Sequence, residues 1–285
     1  MQKMAPMRNI LNQLIQLQEL NFALAEQKAS NPNARLKQLE EAIVQLAQKL
    51  PEGIADRYQR LQKRFALAVV PVIRNACSGC ALVVPLALVN DTKAGNGIQS
   101  CPHCGRFLYH LESVPRRLQK PTNGKGPPEV AGIARFSAVE LMVPKLAAKT
   151  RDEAITELAG LLATEKFIEE PTSLVELVLR REAMVSTGVE HGLAFPHVRN
   201  IEGSSLTFAL GLKKSGIDFG AADGHLTKII FLIVIPTAAS AFYLRLLAGL
   251  VGAFSTADAR NTLLDCDTPE SMWKTLNKLT RGTIP

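Results

Sequence analysis

Two CxxC pairs, Cys77-Ser-Gly-Cys80 and Cys101-Pro-His-Cys104, constrain this chain more than any other feature. Each pair makes a tight turn that aims two thiolates at one point. The 20 residues between the pairs match the spacing of a four-cysteine zinc ribbon. Pro102 stiffens the second turn, and Gly105 stands where a left-handed backbone is often needed. A disulfide framework or a redox pair fits less well, because no βαβ pattern surrounds these cysteines and Cys266 stands far from them. Four thiolates close a coordination sphere, so Cys77, Cys80, Cys101 and Cys104 are expected to hold a structural Zn²⁺. The aliphatic run from Ala81 to Asn90 is expected to supply the ribbon's strands. His103 and His110 read as bystanders.

Ahead of the ribbon, Met7, Ile10, Leu14, Leu17, Asn21 and Leu24 recur at spacings of 3, 4, 3, 4 and 3. That is a heptad seam, in which a buried Asn21 can fix register. Asn31-Pro32-Asn33 breaks it, and Leu36, Leu39, Ile43, Leu46 and Leu50 resume it. The pattern predicts an antiparallel helical hairpin, with helices near 7–29 and 34–65 and the second bent near Pro51. Residues 1–66 are assigned to this coiled-coil hairpin and 67–112 to the ribbon. The seam suits either an internal core or a homodimer through the coiled coil.

Together, Pro51, Tyr58-Gln-Arg-Leu61, Val70-Pro-Val, Leu88-Val-Asn and the run from Cys101 to Tyr109 resemble the four-cysteine zinc-ribbon proteins with an N-terminal coiled-coil hairpin. The resemblance implies an assembly adaptor or a nucleic-acid binder. Charge bears on that choice. Residues 1–130 hold 17 basic and 9 acidic side chains, against 16 and 17 in the remainder. Arg57, Arg60, Lys63, Arg64 and Arg74 precede the ribbon, while Arg106, Arg116, Arg117 and Lys120 follow it, as nucleic-acid binding would ask. Only Phe107 and Tyr109 offer stacking rings, so a protein–protein adaptor is the favoured reading.

The apolar run Ile229 to Ile235 stops at Pro236, far short of the roughly 20 residues a spanning helix needs. The N-terminus lacks the apolar core of a signal peptide. With unpaired thiols, the expectation is a cytoplasmic protein.

Pro115, Pro121, Pro127 and Pro128, with Gly124 and Gly126, mark residues 113–132 as a linker. Residues 133–285 read as an α/β domain. Ser137 to Glu140, Thr150 to Glu153 and Ser173 to Glu176 resemble capping boxes. Leu206 to Leu212 and Ile229 to Ile235 read as buried strands. Ser240 to Phe254 and Thr268 to Leu279 read as helices.

The chemistry of this domain concentrates at Pro196-His197-Val-Arg199. Pro196 fixes the backbone entering His197, and Arg199 shares a face with it in an extended segment. A neutral imidazole beside a guanidinium suits nucleophilic attack on phosphorus. By itself such a pair more often marks a structural histidine.

The run Thr187-Gly-Val-Glu-His-Gly-Leu-Ala-Phe-Pro-His197 resembles the phosphoacceptor segment of the type 2 EIIA domains of the bacterial phosphotransferase system. Gly216 to Phe219, Ala222-Asp-Gly224, Ile229 to Pro236 and Leu244 to Ala248 match further segments in the same order. The resemblance implies an EIIA fold with a central mixed sheet flanked by helices. It also implies phosphate acceptance by His197 from phospho-HPr, Arg199 as phosphate stabiliser, and an EIIB or a regulatory target as the next partner. His191 would stand near the acceptor ring. Tyr243 occupies the place where many members carry a second histidine, and a phenol does not carry a proton at neutral pH as imidazole does. That departure favours a regulatory phosphocarrier over a sugar-uptake component. The remaining alternative is a nucleic-acid adaptor whose EIIA domain is not phosphorylated. His225 reads as an exposed turn residue.

Overall fold

The computed structural model describes residues 4–30, 36–110, 132–201, 206–236 and 239–284. The chain forms two compact units, Met1–Ser113 and Val114–Pro285. The expected linker lies, but for Gly132, outside the described residues.

In the first unit, α1 (Met4–Ser30) is followed by α2 (Lys37–Gln48) and α3 (Glu52–Arg64). Pro51 is the N-cap of α3, so the expected bend is a break between two helices. Four strands follow: β1 (Val69–Ile73), β2 (Ala76–Cys77), β3 (Gln99–Ser100) and β4 (Phe107–His110), in the order β2-β1-β4-β3. β1 and β4 run parallel, with Val69 opposite Phe107. Much of the run expected as strand is helical instead: α4 spans Leu86–Ala94, starts after Pro85 and ends at Gly95, whose φ of 72° is left-handed. A proline N-cap and a glycine C-cap override a short aliphatic run that has no period-2 alternation.

The hairpin and the ribbon do not pack as separate domains. Leu14, Leu17, Leu50, Tyr58 and Leu61 from the helices share one core with Val69, Phe107 and Tyr109 from the sheet. Gln18 fixes the junction. Its side-chain oxygen accepts from the N–H groups of Ala68 and Val69 at 2.9 and 2.8 Å, and its amide donates to the Val69 carbonyl at 2.9 Å. The heptad seam is therefore largely spent inside the chain: Leu14 and Leu17 are 0% and 2% exposed. A homodimer through that seam loses its basis. Asn21 donates from its side-chain amide to the Leu17 carbonyl of its own helix at 2.8 Å.

The second unit is built on a mixed six-stranded sheet: β5 (Met142–Val143), β6 (Gly188–Val189), β7 (Leu193–Ala194), β8 (His197–Ile201), β9 (Thr207–Ile217) and β10 (Thr227–Pro236). β10 is central. Every residue from Ile229 to Ile235 is buried, as a strand covered on both faces requires. β9 pairs antiparallel along one edge, from Val234 opposite Thr207 to Ile229 opposite Leu212. Along the other edge β7 and β8 follow one another, both parallel to β10. Helices α5 (Arg151–Thr164), α6 (Pro171–Glu182), α7 (Ser240–Ala253), α8 (Ala257–Leu264) and α9 (Pro269–Thr280) surround this sheet.

Helix starts follow capping chemistry, with two departures from expectation. Thr150 caps α5, its hydroxyl accepting from Glu153 N–H. The α6 helix begins earlier than Ser173: Pro171 occupies its first turn, and the Glu170 carboxylate accepts from the N–H groups of Thr172 and Ser173 at 2.9 and 2.8 Å. Those two bonds, Ser173 N–H foremost, pull the Glu170 carboxyl down to about 2. Ser137 does not cap a helix at all. Its hydroxyl donates to the Phe208 carbonyl, tying the segment before β5 to β9.

Candidate metal centre and phosphoacceptor site

The four cysteines converge. Their sulfurs all lie within 4.8 Å of one another, with Cys77–Cys104 and Cys80–Cys101 at 3.8 and 3.7 Å. A disulfide needs about 2.05 Å. A tetrahedron of Zn–S bonds of about 2.3 Å puts sulfurs about 3.8 Å apart, so the donor set fits zinc in chemistry and in spacing. Arg106 braces the site from outside. Its Nε donates to the Leu67 carbonyl at 2.8 Å, its guanidinium stands 3.7 Å from the centre of the Phe65 ring, and it lies over Gly79. A Cβ at Gly79 would fall 2.7 Å from that guanidinium, which explains glycine inside the knuckle. Burial opposes ionisation of Cys104, but the backbone and side chain of Arg106 outweigh it and bring the thiol down to about 7. Burial pushes the Cys77 thiol up. A bound dication would deprotonate both. His103 is exposed, 3.1 Å from the Val83 carbonyl, outside the thiol cluster.

The second site is assembled by β8. Pro196 donates nothing to the sheet, yet its carbonyl accepts from Ile233 N–H at 2.9 Å, and His197 then starts β8 opposite Ile233. The imidazole Nδ1 lies 3.0 Å from the Phe195 carbonyl. A carbonyl only accepts, so Nδ1 carries the proton and Nε2 keeps its lone pair. Tyr243, from α7, places its ring 5.0 Å from the imidazole and its hydroxyl 3.3 Å from Nδ1. The Arg199 guanidinium stands 4.9 Å from the Tyr243 ring centre. His197, Arg199 and Tyr243 are 1%, 7% and 1% exposed.

Behind them runs a bracket that sequence reasoning missed. Glu182, the last residue of α6, is buried, and its carboxylate accepts from the N–H and the hydroxyl of Thr187 at 2.9 and 2.7 Å. The Thr187 carbonyl accepts from Phe195 N–H, and the Phe195 carbonyl accepts from His197. One signal pointed there: an acidic residue at a helix C-terminus opposes the helix dipole and calls for a local reason.

His191 is not part of this cluster. It sits at φ 69°, exposed, two residues before β7, with its N–H donated to Asp223. Leu193 pairs opposite Ile229 and His197 opposite Ile233. Four residues of β10, about 13 Å, therefore separate the two regions. The expected support of the acceptor by His191 is absent from this geometry.

Residues 136–279 match the family model described as "Phosphoenolpyruvate-dependent sugar phosphotransferase system, EIIA 2", and residues 76–108 match the C4-type zinc ribbon domain. The "PTS system fructose-specific EIIA component" of Haloferax volcanii is 27% identical over 144 residues, half of this chain and 94% of that protein. A "Nitrogen regulatory protein" of Pseudomonas aeruginosa is 27% identical over 133 residues, 47% of this chain and 86% of its own. Among solved structures, nitrogen regulatory protein IIA-Ntr from Neisseria meningitidis aligns at 25% identity and a TM-score of 0.47, covering 50% of this chain and 98% of that one. Among the described residues no helix is long and apolar enough to cross a membrane. The type 2 EIIA match spans half of the residues, and the chain belongs to that phosphotransferase-system family, with a C4-type zinc ribbon ahead of it.

Proposed function

We propose that this protein is a regulatory phosphocarrier that accepts a phosphoryl group from phospho-HPr on Nε2 of His197. The observation that carries the proposal is the 3.0 Å bond from Nδ1 to the Phe195 carbonyl, which fixes the tautomer with its lone pair at Nε2. In the transfer, Nε2 attacks phosphorus, the P–N bond to the donor imidazole breaks, and that electron pair returns to the donor ring. The Nδ1 proton stays in place, held by the Phe195 carbonyl, and Arg199 offsets charge on the phosphoryl oxygens. Because the ring is 1% exposed, the shell over β8 has to open before a donor reaches it.

Tyr243 supports the regulatory branch over sugar uptake. Its phenol bonds to the acceptor ring but does not shuttle a proton at neutral pH, which disfavours onward transfer to an EIIB. Relatives are named on both sides, as a fructose-specific component and as nitrogen regulatory proteins. In this reading the N-terminal unit holds a structural zinc and serves as a protein adaptor that brings the switch to its target. Nucleic acid is disfavoured: Phe107 and Tyr109, the rings available for stacking, are buried in the core shared with α1 and α3.

Incubation of the full chain with phosphoenolpyruvate, enzyme I and HPr tests the proposal. Acid-labile phosphate is expected on the wild type and none on His197→Ala. Labelling that survives in His197→Ala would overturn the assignment.

A further inference from the structure

The residues left over from the acceptor site gather elsewhere. At the opposite end of β10, a cleft of about 250 Å³ is lined by His191, His225, Lys228, Arg260 and Asn261, over an apolar floor that includes Leu264. Three elements supply these side chains: the turn before β7, the start of β10 and one face of α8. None of the lining residues carries a carboxylate.

We propose that this cleft binds a small dianion, of the phosphate-monoester or dicarboxylate type. Two cations are available to it. Among the described residues the Lys228 ammonium makes no ion pair or hydrogen bond, so it is free to meet a ligand. Arg260, among the described residues, spends one nitrogen on the protein, donating from Nη1 to the Phe254 and Ser255 carbonyls at 2.7 and 2.8 Å. Those bonds orient the guanidinium and leave Nε and Nη2 as a planar pair of donors suited to an oxyanion.

The imidazoles are positioned as well. Asp223 accepts from the N–H groups of His191 and His225 at 2.9 and 3.1 Å and stands 3.2 Å from His225 Nδ1. That arrangement turns His225 Nδ1 towards the carboxylate and Nε2 away from it. It also holds His191 in its left-handed conformation beside the cleft. The volume is enough to receive a ligand of small-metabolite size. The cleft is about 13 Å along β10 from His197, so its ligand is distinct from the phosphoryl group carried there, and the inference stands independently of phosphotransfer.

The test is a titration of the full-length, zinc-loaded, ¹⁵N-labelled protein with inorganic phosphate and, separately, with succinate, followed by amide shifts. Saturable shifts at His191, His225, Lys228 and Arg260 are expected at about millimolar concentrations. Lys228→Gln, which breaks no ion pair or side-chain hydrogen bond among the described residues, is expected to weaken binding about tenfold. His197→Ala is expected to bind as the wild type does. Tighter binding of phosphate assigns the monoester class, and tighter binding of succinate the dicarboxylate class. Absence of saturable shifts with both probes, or unchanged affinity in Lys228→Gln, would overturn the site.

Discussion

The two units reach functional geometry by opposite routes. In the N-terminal unit, four identical donors come from two short turns, and the spacing of the residues already contains the site. In the EIIA unit, the acceptor is one histidine whose tautomer, burial and neighbours come from β8, α6 and α7, so that Tyr243, 46 positions away, touches the same ring as Phe195. A cluster of like ligands needs only converging turns. A single nucleophile needs a folded frame around it.

That contrast predicts where each unit breaks. The largest effect is expected from removing metal, by chelation or by Cys77→Ser. Structural zinc supplies on the order of 10 kcal/mol or more to small sites, so the ribbon should lose its sheet. The EIIA unit should keep its own. NMR of the full chain reads both at once; simultaneous loss of the EIIA resonances would break the comparison.

A smaller loss is expected in the acceptor frame. Glu182→Ala strands the buried N–H and hydroxyl of Thr187, at a cost of about 1–3 kcal/mol, read from chemical denaturation. It should also alter the pH profile of His197 labelling, because Thr187 and Phe195 connect Glu182 to Nδ1. Lower stability with an unchanged profile would reduce Glu182 to a structural part. Gln18→Ala is the counterpart in the first unit. It leaves the N–H groups of Ala68 and Val69 without their acceptor, so about 1–3 kcal/mol is expected again, confined to the helix–ribbon core.

The smallest effect concerns Glu170. Its carboxyl is depressed in the folded chain to about 2 by the helix N–H groups, so its contribution is fully present above the unfolded value of about 4.3. That contribution fades as pH falls from there towards 2. Glu170→Gln should lower the stability of the EIIA unit slightly at neutral pH and flatten the acid limb of its stability–pH curve over that window, so that variant and wild type converge near pH 2.

Legibility in the sequence followed the same divide. The zinc ligands were readable because each knuckle is four residues long. The cores of β9 and β10 were readable because continuous apolar runs mark strands buried on both faces. The two-residue strands β5, β6 and β7 were not readable, since no periodicity exists at that length. α4 was mistaken for strand because Leu86-Ala-Leu-Val offers no alternation to separate the two states. The family resemblance, not a pattern in the residues themselves, is what puts His191 near the acceptor. Between it and His197 the chain runs extended along β10, and extended residues separate quickly in space. The shared core of hairpin and ribbon was hidden because a heptad seam does not say what will cover it.

The central claim is that the frame around β8 makes His197 Nε2 a phosphoryl acceptor. Mapping acid-labile phosphate after incubation with phosphoenolpyruvate, enzyme I and HPr tests it most directly. The account predicts one phosphoryl group, on Nε2 of His197, lost in His197→Ala and retained in Tyr243→Phe. An unmodified His197, under conditions that label a control EIIA, would contradict it.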